Sequence, residues 1–417
     1  MHTGENQTQL EATGFACHSS NDAEVCVSSR PVRINMLTME VHAPFSKGIP
    51  EANYTIHPYA RKGDKNLMNT SVTSVKILEE NFTLSPACDY SHNVPAVIFS
   101  SGGFAGNIFH EFNEIIIPLF LTSRHFQSRL QFILTDFRAD FVAKYKYLLS
   151  HLSINEVINP ATNGSIHCFP GVLVGLHRHD NLAITTTDVP EGYSMLDFKQ
   201  FLRESYNLKI QDLLQMEKPE LVLISRQGSR TFLNEDQIVT MMRELGFNVV
   251  VATPDMMGNL DMIAEMLNPC SILVGAHGAG LTNEVFLPEG SVVVQVVGWG
   301  LDWIFPKLGT SIRSDFRKME NAPGTLVLRA TPFVICLVLL CLLYTVDFGF
   351  NIVTPSDQCI HHLGADSGLC LGALKANVMW PPSGLHCSGH EQEALPGYSP
   401  GYGGRGVLER SCPCARD

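Results

Sequence analysis

Between residues 219 and 297 the sequence alternates short apolar runs with amphipathic stretches, and this alternation limits the possible folds more than any other feature. Uninterrupted apolar runs of about four to eight residues are typical of strands that are buried on both faces. Such strands form parallel sheets with helices packed on each side. The predicted strands are Leu221–Ser225, Phe247–Ala252, Ser271–Gly275 and Ser291–Val297. The sequence therefore predicts an α/β fold.

The segments between these strands carry helix-boundary signals. Asn234 is placed to cap a helix that runs to Leu245, with Gln237 at the capping-box position three residues later. Gly246 suits the left-handed residue that often follows a helix. A further helix is predicted over about 259–267. Strand and helix thus follow one another as a doubly wound sheet requires.

A second α/β unit is indicated upstream. The run Ala96–Ser101 is typical of a buried strand, and glycines over 102–106 mark a turn after it. Apolar residues at helical spacing predict a helix from Asn107 to about Arg124. Another strand is predicted over 130–135.

The composition changes near Trp303. Residues 304–417 hold seven of the 12 cysteines, and their charged side chains cancel, so the net charge of −12 lies upstream. An acidic body lacks the basic surface that a general nucleic-acid binder needs, and no nucleic-acid partner is expected. Strand and helix signals no longer alternate in this tail. Its uncharged run Phe333–Val346 would cover about 21 Å as a helix, less than the roughly 30 Å hydrocarbon core of a bilayer.

The most specific candidate site follows the predicted strand at 271–275. There His277-Gly278-Ala279-Gly280 turns into a predicted helix. Backbone N–H groups at a helix start are unpaired, and glycine lets a ligand approach the backbone, so a phosphate can bind at such a bend. A tight glycine turn without a ligand fits the same spacing.

Two arginines form a second candidate site. Arg226 and Arg230 follow the predicted strand 221–225. Ligands of open α/β sheets bind beyond the carboxyl ends of the strands, and a guanidinium can bind phosphate with two hydrogen bonds. The arginines and the glycine bend would then face one crevice. Exposed loop arginines without a ligand are the alternative.

The predicted helix after Gly106 carries a third candidate site. Asn107, His110, Glu111 and Glu114 share one face because they are three, four and seven residues apart. A histidine with a carboxylate one turn away suits general-base chemistry. An ordinary solvated helix face would show the same pattern.

Five glycosylation sequons indicate a secretory compartment. They begin at Asn6, Asn53, Asn69, Asn81 and Asn163. Cys17 and Cys26 are able to pair in such an oxidising setting. Polar loops rich in asparagine and threonine are the alternative explanation. The first fifteen residues show no signal peptide or anchor, so we expect a truncated start.

Several motifs of other protein classes do not occur in the sequence. The glycine bend at 275–280 does not have the Gly-x-Gly-x-x-Gly spacing of dinucleotide folds, which argues against a dinucleotide-dependent oxidoreductase. The sequence contains no Walker A motif. Without an Asp-x-Asp motif, a metal-bridged diphosphate is not indicated. No metal and no cofactor are therefore expected.

The candidate sites at 107–114, 226–230 and 277–280 follow one another in the order typical of one family. In this order the sequence resembles plant members of glycosyltransferase family 61, the xylan arabinosyl- and xylosyltransferase group. The resemblance covers about residues 15–303. It is carried by Val94–Phe112, Cys168–Val172, Ile224–Asn234 and Val274–Asn283, with smaller similarities at Cys17–Cys26 and Pro58–Asp64.

This resemblance implies a GT-B-like pair of Rossmann-type domains and an inverting pentosyltransferase of the Golgi lumen. The donor would be a UDP-pentose (xylose or arabinofuranose), and the acceptor xylan or a related cell-wall polysaccharide. Arg226, Arg230 and the turn His277–Gly280 would hold the UDP. His110, Glu111 or Glu114 would deprotonate the acceptor hydroxyl.

The family comparison also gives a domain division. We expect a stem-like segment (1–50), an acceptor-side α/β domain (51–215), a nucleotide-sugar-binding α/β domain (216–303) and an atypical cysteine-rich tail (304–417). The resemblance stops near Trp303, so the second domain is expected to lack its closing elements. Family members are type II Golgi membrane proteins, and homo- or hetero-oligomers are compatible with the sequence. An inactive truncated homologue that binds a partner protein is the alternative function.

Overall fold

The computed structural model describes residues 4–21, 23–44, 53–79, 87–162, 164–178, 181–184, 192–211, 213 and 219–296, together with the strands Leu326–Arg329 and Val378–Met379. The strands in chain order are β1 (Phe15–Ser19), β2 (Glu24–Ser28), β3 (Val32–Asn35), β4 (Glu40–Ala43), β5 (Asn53–Ile56), β6 (Val75–Glu79), β7 (Tyr90–Ser91), β8 (Ala96–Ser100), β9 (Gln131–Thr135), β10 (Ile166–Phe169), β11 (Val172–Val174), β12 (Glu220–Ile224), β13 (Thr231–Phe232), β14 (Asn248–Ala252), β15 (Cys270–Ala276), β16 (Val292–Val296), β17 (Leu326–Arg329) and β18 (Val378–Met379).

The α-helices are α1 (Gly4–Thr13), α2 (Lys65–Ser71), α3 (Ile108–Glu111), α4 (Ile117–Ser123), α5 (Ala139–Lys144), α6 (Lys146–Leu152), α7 (Met195–Tyr206), α8 (Glu235–Glu244), α9 (Pro254–Met257) and α10 (Leu260–Leu267). A π-helical turn (Phe112–Ile116) lies between α3 and α4, and 3-10 helices cover Arg124–Phe126, Pro160–Thr162 and Ala279–Phe286. None of the helices in the described ranges has the length and apolarity of a bilayer span. The apolar run Phe333–Val346 lies outside the described residues.

The C-terminal half is built on a parallel sheet with the strand order β14-β12-β15-β16-β17. Its first four strands confirm the strands predicted from the apolar runs. The fifth strand, Leu326–Arg329, pairs with Val292–Gln295. The sheet therefore continues past residue 303, where we expected it to end. This strand has only four residues and no alternating helix pattern beside it, so periodicity did not reveal it.

Two sheets form the N-terminal half. One has the order β1-β2-β11-β8-β9, with β11, β8 and β9 parallel and the β1–β2 hairpin added antiparallel. The other is mixed, with the order β5-β6-β4-β3-β10-β7. The expectation of an irregular stem over 1–50 is therefore wrong for residues 15–43. Their strands have only four or five residues and bury mainly alternate positions, so the segment is polar overall.

Disulfides join strands of this half. The predicted pairing of Cys17 with Cys26 is confirmed, and these two residues lie directly opposite each other in the hairpin. A second disulfide joins Cys88 to Cys168, 80 residues later in the sequence. Sequence spacing gave no signal for this second pair.

A single apolar cluster includes residues of both halves. Phe99 and Phe132 contribute from the N-terminal sheet, and Val222 and Leu273 from the C-terminal sheet. Helix α3 packs against the 3-10 helix Ala279–Phe286. The two halves therefore meet through a shared core rather than through a polar surface.

Candidate functional site

The predicted helix after Gly106 exists, with one difference in geometry. Asn107 caps it, and its side-chain oxygen accepts a hydrogen bond from the Phe109 N–H at 3.0 Å. From Phe112 to Ile116 the helix widens into a π-turn, a feature that is frequent at functional sites. Glu111 and Glu114 are buried, so this face is not a solvated helix face.

Glu114 accepts hydrogen bonds from three side chains. His110 Nδ1 lies 2.9 Å and Arg61 Nη1 2.6 Å from Glu114 Oε1, and the Tyr59 hydroxyl donates to the other oxygen. Burial alone raises the pKa of Glu114, but the hydrogen bonds from His110, Tyr59 and Arg61 outweigh it and leave the pKa below its usual value. Burial and the adjacent carboxylate raise the pKa of Tyr59, so its phenol stays a donor.

The ionised Glu114 defines the chemistry of His110. A carboxylate only accepts hydrogen bonds, so in the neutral imidazole of His110 the proton is on Nδ1 and the lone pair is on Nε2. The His110 side chain is 20% exposed, whereas Glu114 is fully buried. His110 is therefore a partly exposed imidazole that a buried carboxylate holds through Nδ1.

Glu111 has a different position in the same helix. Its carboxylate accepts from the Gly106 N–H at 3.0 Å, from Lys144 Nζ at 2.6 Å and from the Tyr145 hydroxyl at 2.8 Å. Burial, and secondarily the Glu111 charge, raise the pKa of Tyr145 well above its usual value. The three donors join the glycine turn to α5 and α6, so Glu111 fixes the position of the helix start.

The structure brings both arginines to the glycine bend. Gly278 has φ 152° and ψ 176°, a conformation almost confined to glycine. A Cβ at this position would lie 2.4 Å from Arg226 Nη1 and 3.2 Å from Arg230 Nη1. Arg230 Nη1 also donates to the His277 carbonyl at 2.5 Å. Glycine is therefore required where the guanidinium groups meet the backbone.

Arg226 and Arg230 bring two positive charges to the same bend. Within the described part of the chain, neither Arg226 nor Arg230 forms an ion pair with a carboxylate. Burial, and then the Arg230 charge, lower the pKa of Arg226. Two adjacent unpaired guanidinium groups form a site for an anion.

The remaining bend residues hold this arrangement in place. The His277 N–H donates to the Val296 carbonyl at 2.8 Å, which ties the bend to β16. Ala279 begins a 3-10 helix rather than an α-helix. Asn283 Nδ2 donates to the Gly280 carbonyl at 2.9 Å.

The two parts of the candidate site occupy neighbouring elements. The glycine turn before α3 follows β8, and the glycine bend follows β15, so each follows the carboxyl end of a parallel strand. Phe112, at the C-cap of α3, lies against Phe286 of the 3-10 helix, with ring centroids 6.1 Å apart. The helix that carries His110 thus packs against the 3-10 helix that follows the bend at which Arg226 and Arg230 meet Gly278.

Tyr59 and Arg61 are the residues that sequence reasoning missed. They belong to Pro58–Asp64, a segment that carries part of the family resemblance but had no role assigned. Glu114 is more than 50 residues away, and only the fold brings them together.

The sequon residues fall in different surroundings. Asn69 is exposed, and half-buried Asn6 bonds to His18. Asn53 opens β5, although its side chain is not among the described ones. Asn81 and Asn163 lie outside the described residues.

Among the described residues, no group of three or more His, Cys, Asp or Glu side chains could hold a metal ion.

The fold and site together define an α/β protein with a carboxylate-bound imidazole and two arginines at a glycine bend. Residues 108–294, which include both parts, match the family model Glycosyltransferase 61. The chain belongs to this family.

Relatives of known name support this assignment. An alpha-1,3-arabinosyltransferase from Oryza sativa subsp. japonica is 36% identical over 308 residues, which are 72% of this chain and 53% of the relative. A beta-1,2-xylosyltransferase from the same plant is 36% identical over 302 residues, 67% of this chain and 64% of the relative. A xylan glycosyltransferase from Arabidopsis thaliana is 33% identical over 267 residues, 60% and 54% of the two chains. This chain spans between about half and two thirds of the length of these relatives.

Proposed function

We propose that this protein is an inverting glycosyltransferase that moves a pentose, xylose or arabinofuranose, from a UDP-sugar to xylan or a related cell-wall polysaccharide. The observation that carries the proposal is the position of Arg226 and Arg230 against Gly278 in a member of this family. The relatives named above act, by their names, as arabinosyl-, xylosyl- or xylan glycosyltransferases.

The cationic bend supplies what the leaving group needs. When the bond between the sugar and UDP breaks, negative charge develops on the departing diphosphate. Positive groups held in place before the reaction stabilise this charge without reorganising. Arg226 and Arg230 fulfil this role, and Gly278 lets the diphosphate lie close to the backbone. No metal ion takes part in this proposal.

His110 is the proposed base. Its Nε2 takes the proton of the acceptor hydroxyl while that oxygen attacks the anomeric carbon, and UDP leaves from the opposite face, which inverts the configuration. Glu114 holds the imidazole through Nδ1 and stabilises the imidazolium that forms. Glu111 positions the helix and does not touch the substrate.

The architecture and the compartment follow from the same proposal. The two halves would form a GT-B-like pair of domains, with the donor bound by the C-terminal half and the acceptor by the N-terminal half. The lumen of the Golgi is the proposed compartment. The disulfides Cys17–Cys26 and Cys88–Cys168 fit an oxidising compartment.

The test uses the full chain, secreted from a eukaryotic host. Calorimetry measures UDP affinity, and mass spectrometry measures transfer from UDP-xylose or UDP-arabinofuranose to xylan oligomers. Arg226→Ala and Arg230→Ala should each weaken UDP binding at least about tenfold, since a hydrogen bond to a charged group contributes about 1.5–3 kcal/mol. Arg243→Ala is the matched control, because Arg243 is exposed in the last turn of α8.

The outcomes separate the parts of the proposal. Wild-type UDP affinity in both arginine variants would contradict the donor site. UDP binding without transfer of either pentose would contradict the enzyme and favour the inactive homologue that binds a partner.

A further inference from the structure

One exposed aromatic side chain lies beside the candidate base. Phe104 is 36% exposed, although it is a large apolar residue. Its ring centroid is 4.6 Å from that of His110. An exposed aromatic ring next to a reactive imidazole is placed to contact whatever molecule that imidazole contacts.

The turn that carries Phe104 is fixed on both sides. Gly103 has φ 66°, and a Cβ there would lie 2.6 Å from the ring of Tyr59. The Phe104 N–H donates to the Tyr59 hydroxyl at 3.3 Å. Arg138 Nη1 donates to the Ala105 carbonyl at 2.7 Å. The ring is therefore presented by a rigid turn, which lowers the entropy cost of binding a ligand on it.

Two described side chains contact the ring of Phe104. Arg61 Cζ lies 5.0 Å from the ring centroid, and His110 is the other close group. Both bond to the same atom, Glu114 Oε1, at 2.6 and 2.9 Å. Both groups therefore approach the ring from the side of Glu114. The 36% of Phe104 that is exposed is available to a ligand beside these two groups.

We propose that Phe104 is the platform on which a xylopyranose ring of the polysaccharide acceptor stacks. The inference rests on the proposed function, in which His110 deprotonates an acceptor hydroxyl. The face of an aromatic ring is negative, so it attracts the weakly positive C–H groups on the flat side of a pyranose. Stacking also removes apolar surface of both partners from water.

The position of Phe104 selects the acceptor rather than the nucleotide. Phe104 and His110 belong to the N-terminal half, on the turn and helix after β8. Arg226 and Arg230 belong to the C-terminal half, on the loop after β12. A ring beside the base contacts the sugar whose hydroxyl is deprotonated, and Phe104 thereby sets which hydroxyl reaches His110 Nε2.

Three substitutions of the full chain test the platform. Phe104→Ala removes the ring, Phe104→Leu keeps an apolar side chain without a flat face, and Phe104→Trp restores an aromatic face. Tyr147→Ala is the matched control, because Tyr147 is 38% exposed and carries a cation, Lys146 Nζ, 4.5 Å from its ring centroid. Calorimetry measures binding of xylohexaose and, separately, of UDP. Thermal unfolding checks that every variant is folded.

The expected result is a specific loss of acceptor affinity. Phe104→Ala should weaken xylohexaose binding roughly tenfold and Phe104→Leu roughly threefold or more, while Phe104→Trp stays within about twofold of wild type. UDP affinity should not change in any variant, and Tyr147→Ala should bind both ligands like wild type.

Other results overturn the platform. Wild-type xylohexaose affinity in Phe104→Ala contradicts it, as does a wild-type protein that binds no xylohexaose. Weaker UDP binding with unchanged xylohexaose binding assigns the ring to the nucleotide instead. Failure of the proposed donor chemistry is distinguishable, because it removes UDP binding or transfer and leaves the dependence of xylohexaose binding on Phe104 intact.

Discussion

Replacing Glu284 with glutamine should stabilise the protein at alkaline pH. Glu284 belongs to the 3-10 helix after the glycine bend and is only 7% exposed. Its Oε2 atom is buried without a hydrogen-bond partner among the described residues. Burial raises the pKa of Glu284 from 4.5 to about 8, and the attraction of Lys199 offsets this only in part. The folded state therefore resists ionisation of this carboxyl.

The size of the effect follows from that pKa. One pKa unit corresponds to about 1.36 kcal/mol, so the shift corresponds to about 5 kcal/mol in total and about 3 kcal/mol at pH 7. Because the pKa of Glu284 is raised in the folded state, its contribution to the free energy of unfolding is fully present below pH 4.5. This contribution is lost as the pH rises through 8. A buried glutamine amide without a partner costs about 1–3 kcal/mol. Near pH 5 the neutral Glu284 carboxyl of the wild type carries a similar cost of burial, so wild type and Glu284→Gln should be about equally stable.

Urea unfolding followed by circular dichroism, at several pH values from 5 to 8.5, measures the difference. We expect Glu284→Gln to match wild type near pH 5 and to exceed it by about 2–4 kcal/mol at pH 8.5. Glu289→Gln is the control, because Glu289 is exposed five residues further along the chain. Parallel stability curves for wild type and Glu284→Gln over the whole pH range would refute the reasoning.

Two further substitutions address the site itself. Gly278→Ala places a Cβ 2.4 Å from Arg226 Nη1 in a strained backbone conformation, so UDP affinity measured by calorimetry should fall at least about tenfold. Gly290→Ala, also at positive φ but beside Leu213, should leave that affinity unchanged, and equal affinities in both variants would contradict the role of the bend. Glu114→Gln should destabilise the fold by about 1–3 kcal/mol at pH 7, because it removes a charge that Arg61 and His110 face. Since the folded pKa of Glu114 is lowered, this difference should shrink as the pH falls below 4.5, and a difference that grows in acid would refute the assignment.

The parallel sheet of the C-terminal half was predictable because its strands are mostly buried. Each of the four contains at least three consecutive apolar residues, so the sequence alone locates it. The predicted capping box at Asn234 was wrong, although helix α8 begins directly after this residue. Asn234 has ψ 36° and its side chain makes no capping hydrogen bond, whereas Asn259, with extended backbone, caps α10.

The burial of Glu111 and Glu114 could not be read from helical spacing. A polar helix face looks the same in sequence whether it meets water or the side chains of Tyr59, Arg61 and Lys144. The arrangement of these donors depends on tertiary contacts between segments that are 33 to 55 residues apart. The convergence of both arginines on Gly278 was predictable because parallel strands of one sheet end at the same edge.

The ring of Phe112, in the N-terminal half, contacts that of Phe286, in the C-terminal half, at a centroid distance of 6.1 Å, so each half covers apolar surface that the other would leave in water. A chain cut between residues 211 and 219 would therefore yield two fragments with exposed apolar surface, which would aggregate rather than behave as independent domains. For the same reason, a chimaera that takes one half from a relative needs matching aromatic partners at positions 112 and 286.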